Sequence, residues 1–202
     1  MDQATAEIAQ TAARLVVEEG LEWGPAKHRA VRQLGLPSRT ALPGNDLVEE
    51  AVREYIALFC ADTQPQELQA LRELALQWMD RLAEFRPHLA GAVWRGTATR
   101  LSDIYLQLFC DDPKSAEIAL INQHVNYEPS TVTGFTGQSV EALSIHAFCR
   151  PLNEDVGVLL LVHDLDDLRG ALKPDGQGRS PRGSAEALRK LLNQDEGEAD
   201  RG

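Results

Sequence analysis

Between Gly91 and Leu108 the chain reads GAVWRGTATRLSDIYLQL, and this stretch holds the residue types a phosphate-handling site needs. Gly91 and Gly96 lack a Cβ, so their backbone can approach a ligand closely. Between them Arg95 offers a planar fork of donors suited to phosphate oxygens. Thr97, Thr99 and Ser102 add hydroxyls, and Asp103 adds a carboxylate. From Asp103 to Phe109 the residues alternate with a period of two, which predicts a strand. Ile104, Leu106 and Leu108 share one face; Asp103, Tyr105 and Gln107 share the other. Carboxylates at both 103 and 105 would make a divalent-metal site, but position 105 is tyrosine. The small apolar run Leu89 to Val93 predicts a buried strand leading into the glycine turn. An ordinary turn between two strands would carry the same Gly and Ser-Asp composition.

This stretch resembles the minimal nucleotidyltransferases of the DNA polymerase β superfamily, whose pattern is a Gly-Ser pair, then Arg-Gly-Thr-Ala, then Ser-Asp-Ile-Asp-Leu. Without a gap, Gly91-Ala92 falls on the Gly-Ser pair and Arg95-Gly96-Thr97-Ala98 on Arg-Gly-Thr-Ala. Ser102-Asp103-Ile104-Tyr105-Leu106 falls on Ser-Asp-Ile-Asp-Leu. The resemblance implies that Gly91, Arg95, Gly96, Thr97 and Ser102 face nucleotide phosphates and that Asp103 is the first carboxylate on Mg²⁺. The chain departs from the pattern twice: Ala92 lacks the hydroxyl and Tyr105 lacks the carboxylate. Mg²⁺ is usually held by one or two protein carboxylates together with substrate phosphates, so losing one weakens the site without abolishing it.

The third catalytic carboxylate of that family lies on a later strand. Glu141 and His146 both qualify for the position, as activator of the attacking hydroxyl, and spacing does not choose between them. His146 reads, more simply, as a hydrogen-bonded sheet histidine. Asp164, Asp166 and Asp167 follow the apolar run Gly157 to Val162, where they would bind metal or, more simply, start a helix whose dipole they complement. Arg95 and Arg100 would neutralise phosphate charge or pair with Asp103, Asp111 or Asp112. Lys27, His28, Arg29, Arg32 and Arg39 form a basic cluster on a helix pair faintly like a helix-turn-helix.

Charge argues against that DNA-binding reading. The chain carries 20 Lys and Arg against 31 Asp and Glu, a net charge of −11, which opposes nucleic acid and anionic membranes alike. No apolar run approaches the roughly 18 residues of a membrane span. The acidic, polar start MDQATAEIAQ does not read as a secretory signal. Cys60, Cys110 and Cys149 are far apart and flanked by apolar residues, so buried free thiols and a cytoplasmic setting are expected. No C-x-x-C or paired-His spacing points to zinc.

The elements that must position these residues fall into two periods. Helical spacing runs through Ile8, Ala12, Leu15 and Val16, through Pro25 to Leu34, and through Leu47 to Phe59, where Asp46 and Glu49 read as a capping box. A further helix follows Pro65, with a stripe from Leu68 to Phe85. After strand 103–109, Asp112 and Pro113 predict the entry of a helix over Ser115 to Gln123. Val125 to Phe135, Val140 to Cys149 and Val156 to His163 read as strands, the first two joined by a turn at Thr136-Gly137-Gln138. Residues 173–183 (KPDGQGRSPRG) read as a flexible loop, and Ser184 as the cap of a last short helix. The class is α+β: an N-terminal helical bundle over 1–86, a nucleotidyltransferase-like mixed sheet with flanking helices over 87–193, and an acidic tail, 194–202, expected to be disordered.

Two functions follow as expectations. In the first, the protein binds a nucleoside triphosphate with Mg²⁺ and transfers a nucleoside monophosphate to a hydroxyl by in-line attack at the α-phosphate. Asp103, with Glu141 or His146, would carry that chemistry. In the second, the same fold is catalytically dead and serves as a protein-binding, antitoxin-like partner through its helical half.

Overall fold

Helical periodicity governs the chain as far as Arg81. In the computed structural model, which describes the backbone of residues 3–199 and side chains to residue 194, four helices come first: α1 (Gln3–Glu19), α2 (Trp23–Gln33), α3 (Asn45–Phe59) and α4 (Gln64–Arg81). The chain divides into two units. One holds residues 1–67 with 97–101; the other holds 68–96 with 102–202. The division falls inside α4 rather than at residue 86, and the two ends of that helix belong to different units.

In the first unit the apolar stripes of three helices meet. Ile8, Ala12 and Leu15 of α1 bury against Ala26 and Ala30 of α2 and Val48, Val52 and Ile56 of α3. The alanines leave room for close helix approach, and the apolar area removed from water drives the packing. The expected capping box is displaced. The N-cap of α3 is Gly44, which offers no side chain, so Asp46 sits inside the first turn, where its charge still complements the helix dipole. Glu49 turns inward, 3% exposed, and accepts from Arg53 Nη2 at 2.8 Å. The basic cluster is partly engaged within this unit. Lys27 Nζ donates to Asn45 Oδ1 at 2.7 Å and to the Pro43 carbonyl at 3.1 Å, and Arg29 pairs with Glu19 at 2.5 Å.

The segment 97–101 also belongs to this unit. Gln64 Nε2 donates to the Ala98 carbonyl at 2.8 Å, and Glu67 Oε2 accepts from the Arg100 amide at 3.0 Å. Gly20 closes α1 at φ +69°, and a Cβ there would sit 3.1 Å from the Leu101 Cβ.

The second unit is built on a mixed six-stranded sheet. Its strands are β1 (His88–Ala90), β2 (Ile104–Cys110), β3 (Glu128–Thr133), β4 (Ser139–Cys149), β5 (Glu154–Asp164) and β6 (Arg182–Ser184), in the order β3-β4-β5-β2-β1-β6. β2 and β5 run parallel; every other pair is antiparallel. The parallel pair needs a crossover, which α6 (Lys114–Asn122) and the β3-β4 hairpin supply. One face is dominated by apolar side chains: Ile104, Leu106 and Leu108, Val158, Leu160 and Val162, and Leu143 and Ile145 are all almost fully buried. The α4 segment of this unit is tied to it through Arg72, whose Nε donates to the Val93 carbonyl at 3.1 Å.

Several elements differ from expectation. The strand predicted over Leu89 to Val93 stops at Ala90, and Gly91–Arg95 forms a one-turn helix, α5. Gly91 at φ +72° breaks the extended backbone, and Gly96 at φ +84° closes the turn. The loop expected over 173–183 ends in a strand, because Arg182–Ser184 pairs with β1 at the sheet edge. The helix entry near Asp112 is shifted by one residue: α6 starts at Lys114, whose amide still donates to Asp112 Oδ1 at 2.9 Å. The entry after β5 is as read, with Asp164 Oδ1 accepting from the Asp166 amide at 2.9 Å, and a short α7 (Leu168–Ala171) follows. Ser184 caps the last helix, α8 (Ala185–Ala199), through the Ala187 amide at 3.3 Å. That helix extends into the segment expected to be a disordered tail; the side chains of 195–199 and residues 200–202 lie outside the described residues. Cys149 is buried, whereas Cys60 and Cys110 are only half-buried, and all three are free. No helix among the described residues is long and apolar enough to cross a membrane.

Candidate functional site

Residues directly opposite across a ladder point to the same face. That rule assigns the candidates. Ile104 pairs with Val158, which sets Asp103 beside Gly157, and Gly157 pairs with His146. One row on the less apolar face therefore reads His146, Gly157, Asp103. Gly157 leaves a gap between two exposed polar side chains. The carboxylate of Asp103 leans into that gap, since a Cβ on Gly157 would lie 2.9 Å from Asp103 Cγ. His146 and Asp103 stand two strands apart, about 10 Å between backbones, a span their side chains narrow.

The next row reads Ser144, Leu159, Tyr105, Ala90, Arg182 across five strands. Asp103 and Tyr105 share a face, as the alternation predicted. Tyr105 is half-buried with its ring against the glycine turn: its Cδ2 lies 3.3 Å from where a Gly91 Cβ would be. The strand beside it offers Gly157 and Leu159 at these two positions, with Asp155 two residues before Gly157 on the same face. Ser102 precedes Asp103 in the same unit, and Arg95 and Gly96 end α5 near Gly91.

One predicted site residue lies on the other face of the sheet. Glu141 pairs with Val162 on the apolar face, opposite to Asp103, and its carboxylate accepts from Lys114 Nζ at 3.0 Å. It belongs to an ion cluster with Glu117, whose pKa is lowered by the hydrogen bond from Lys114. His146 lies five positions after Glu141, an odd step, so the two must face opposite ways in one strand. Thr97 belongs to the first unit, where it is buried, and its hydroxyl has no hydrogen-bond partner among the described residues. Among those residues no group of three or more His, Cys, Asp and Glu side chains is arranged to hold a metal ion.

The far end of the same face carries residues the sequence did not single out. His163, opposite Phe109, is 2% exposed and lies between aromatic rings, with centroids 5.5 Å from Phe109 and 4.6 Å from Phe135. Among the described residues neither ring nitrogen has a hydrogen-bond partner. Burial holds its pKa below the ordinary histidine value, and the charge of Asp167 only partly offsets this. His88 stands edge-on to Phe109 at 5.6 Å, and burial likewise lowers its pKa. Arg182 lays its guanidinium 4.5 Å over the Phe135 ring. The sequence signal was slight: His163 is the polar residue ending an apolar run, and Arg182 sits in a stretch of turn-forming residues. No protein-family model matches this chain, and no curated protein sequence matches it.

Proposed function

We propose that the second unit is a nucleotidyltransferase-like module that binds a nucleoside triphosphate with Mg²⁺ and holds it without transferring the nucleotide. The observation that supports this most is the seating of Tyr105 against Gly91, with Gly157 and Leu159 on the neighbouring strand. Among Asp103, Tyr105, Gly157 and Leu159, Asp103 is the one carboxylate; Glu128 on β3 and Asp155 at the start of β5 share the face outside this group. A single carboxylate suits a Mg²⁺ ion that arrives on phosphate oxygens and keeps most of its water, not a resident ion caged by protein. Two-metal in-line displacement needs carboxylates that bridge both ions, and position 105, beside Asp103 on β2, supplies a tyrosine instead. In this reading His146, across the Gly157 gap, contacts the bound nucleotide rather than activating a nucleophile. Calorimetry with a nucleoside triphosphate tests it: heat should appear only with Mg²⁺, and Asp103→Asn should weaken binding by about ten-fold or more. Incubation with α-labelled nucleotide should leave the protein and added hydroxyl acceptors unlabelled. Unchanged affinity in Asp103→Asn would remove the site, and transferred label would replace holding with catalysis.

One observation supports the partner-binding reading for the other unit. At the end of α3, Leu58 and Phe59 are 75% and 68% exposed, and Tyr55 lies against Phe59 at 4.6 Å. Apolar exposure of this kind marks protein-contact surfaces. A Leu58→Glu, Phe59→Glu pair should abolish co-purification of a native partner while leaving the helical content unchanged; retained co-purification would exclude this surface.

A further inference from the structure

Arg182 is a half-buried cation without a counter-ion. One of its nitrogens, Nη1, donates to the Ala171 carbonyl, and its plane covers the Phe135 ring. Its Nε is buried and has no hydrogen-bond partner, and among the described residues no carboxylate pairs with it. Other positive charge stands nearby. Arg182 pairs with Ala90, the residue before Gly91, and Arg95 ends the single helical turn that begins at Gly91. At about 1.5 Å rise per residue, that turn places Arg95 roughly 6 Å along the helix from Gly91. Burial first, and then the charge of Arg95, hold the Arg182 guanidinium below its ordinary value. His88 and His163 both feel the Arg182 charge as well. The charge of Asp167 acts on His163 in the opposite sense.

A buried charge that lacks its partner is costly, and such sites are commonly completed by a ligand. The free edge of a guanidinium matches two oxygens of a phosphate or sulfate, and a second guanidinium beside it favours an anion with more than one charge. A net charge of −11 disfavours long polyanions, so the ligand is short.

We propose that Arg182 and Arg95 form a clamp for a short phosphoryl anion at the β1-β6 edge of the sheet, next to the Gly91 turn. The anion is either the phosphate tail of a nucleotide or a free inorganic polyphosphate. This rests on the nucleotide reading only for the first of these sources.

Calorimetry with inorganic triphosphate in the absence of Mg²⁺ probes the clamp itself. The intact protein should bind it. Arg182→Gln and Arg95→Gln should each weaken binding by about ten-fold or more. Arg182→Lys, which keeps the charge but loses the fork, should fall between. Lys190→Gln, whose cation is 70% exposed on α8, is the charge-loss control and should bind as the parent does. Circular dichroism and a thermal melt confirm that each variant is folded; should Arg182→Gln unfold, Arg182→Lys and Arg95→Gln carry the test. No binding by the parent, or unchanged binding in the folded arginine variants, overturns the clamp even where Mg²⁺-nucleotide still binds. Triphosphate binding lost in the arginine variants supports the clamp even where Mg²⁺ and a nucleoside add nothing, an outcome that would overturn the nucleotide reading alone.

Discussion

Replacing Tyr105 with aspartate tests packing and metal chemistry in one variant. The ring is half-buried against the Gly91 turn. Truncating a fully buried aromatic costs about 3–5 kcal/mol, so half of that, about 2 kcal/mol, is the expected packing loss. The new carboxylate would stand two residues from Asp103 on the same face, about 6.6 Å away along the strand. Two like charges at that distance in water-like surroundings repel by about 0.6 kcal/mol. The total, about 2.5 kcal/mol, corresponds to a fall of roughly 10 °C in the melting temperature of a unit this size. If the two carboxylates then converge on an ion, Mg²⁺ at ten times its dissociation constant returns about 1.4 kcal/mol, or roughly 6 °C. Differential scanning calorimetry with and without 10 mM Mg²⁺ (an assay concentration of about that order) reads both quantities. A fall below roughly 3 °C would refute the packing argument for Tyr105. A full fall that Mg²⁺ leaves untouched would show that positions 103 and 105 do not share a resident ion.

Three further outcomes are expected. Gly157→Ala puts a methyl where the Asp103 carboxylate lies, and because that side chain is exposed it swings aside cheaply; the melt should move by under about 2 °C while Mg²⁺-dependent nucleotide binding weakens, and unaltered binding would show that the gap does not matter. Gly183→Ala drives a methyl into the Trp94 ring, which is anchored by its Nε1 on the Ser180 carbonyl at 2.8 Å, so a loss of roughly 1–3 kcal/mol is expected in chemical denaturation; a neutral result would mean β6 is easily displaced. His163 and His88 are both held below the ordinary histidine value by burial, so between that lowered value and about pH 6.5 the unfolded chain binds more protons than the folded one. Stability from these groups is therefore complete above about pH 7 and is lost as the pH falls through 6, by at most about 1.4 kcal/mol per pH unit for each histidine; His163→Leu should flatten that decline in denaturation series at pH 7 and 5, and an unchanged slope would exclude His163 as a source.

Local periodicity made much of this protein legible in its sequence. The alternation from Asp103 to Phe109 fixed which side chains share a face, because a strand's period of two depends only on neighbours along the chain. The same arithmetic required Glu141 and His146 to face opposite ways. Four N-terminal helices followed from apolar spacing, although the fourth, read through to Phe85, ends at Arg81, and Ser184 was recognisable as a cap. What periodicity lacked was register. Only the pairing of β4 with β5 and of β5 with β2 decided that His146, not Glu141, lies in the row of Asp103. Register is set by contacts between segments far apart in sequence and by turn geometry, and a slip of one residue would exchange the two faces. The same reason hid Arg182. Its stretch is rich in Gly, Pro and Ser, and only the exposed edge of β1 turns three of its residues into a strand and sets a buried cation beside the Gly91 turn.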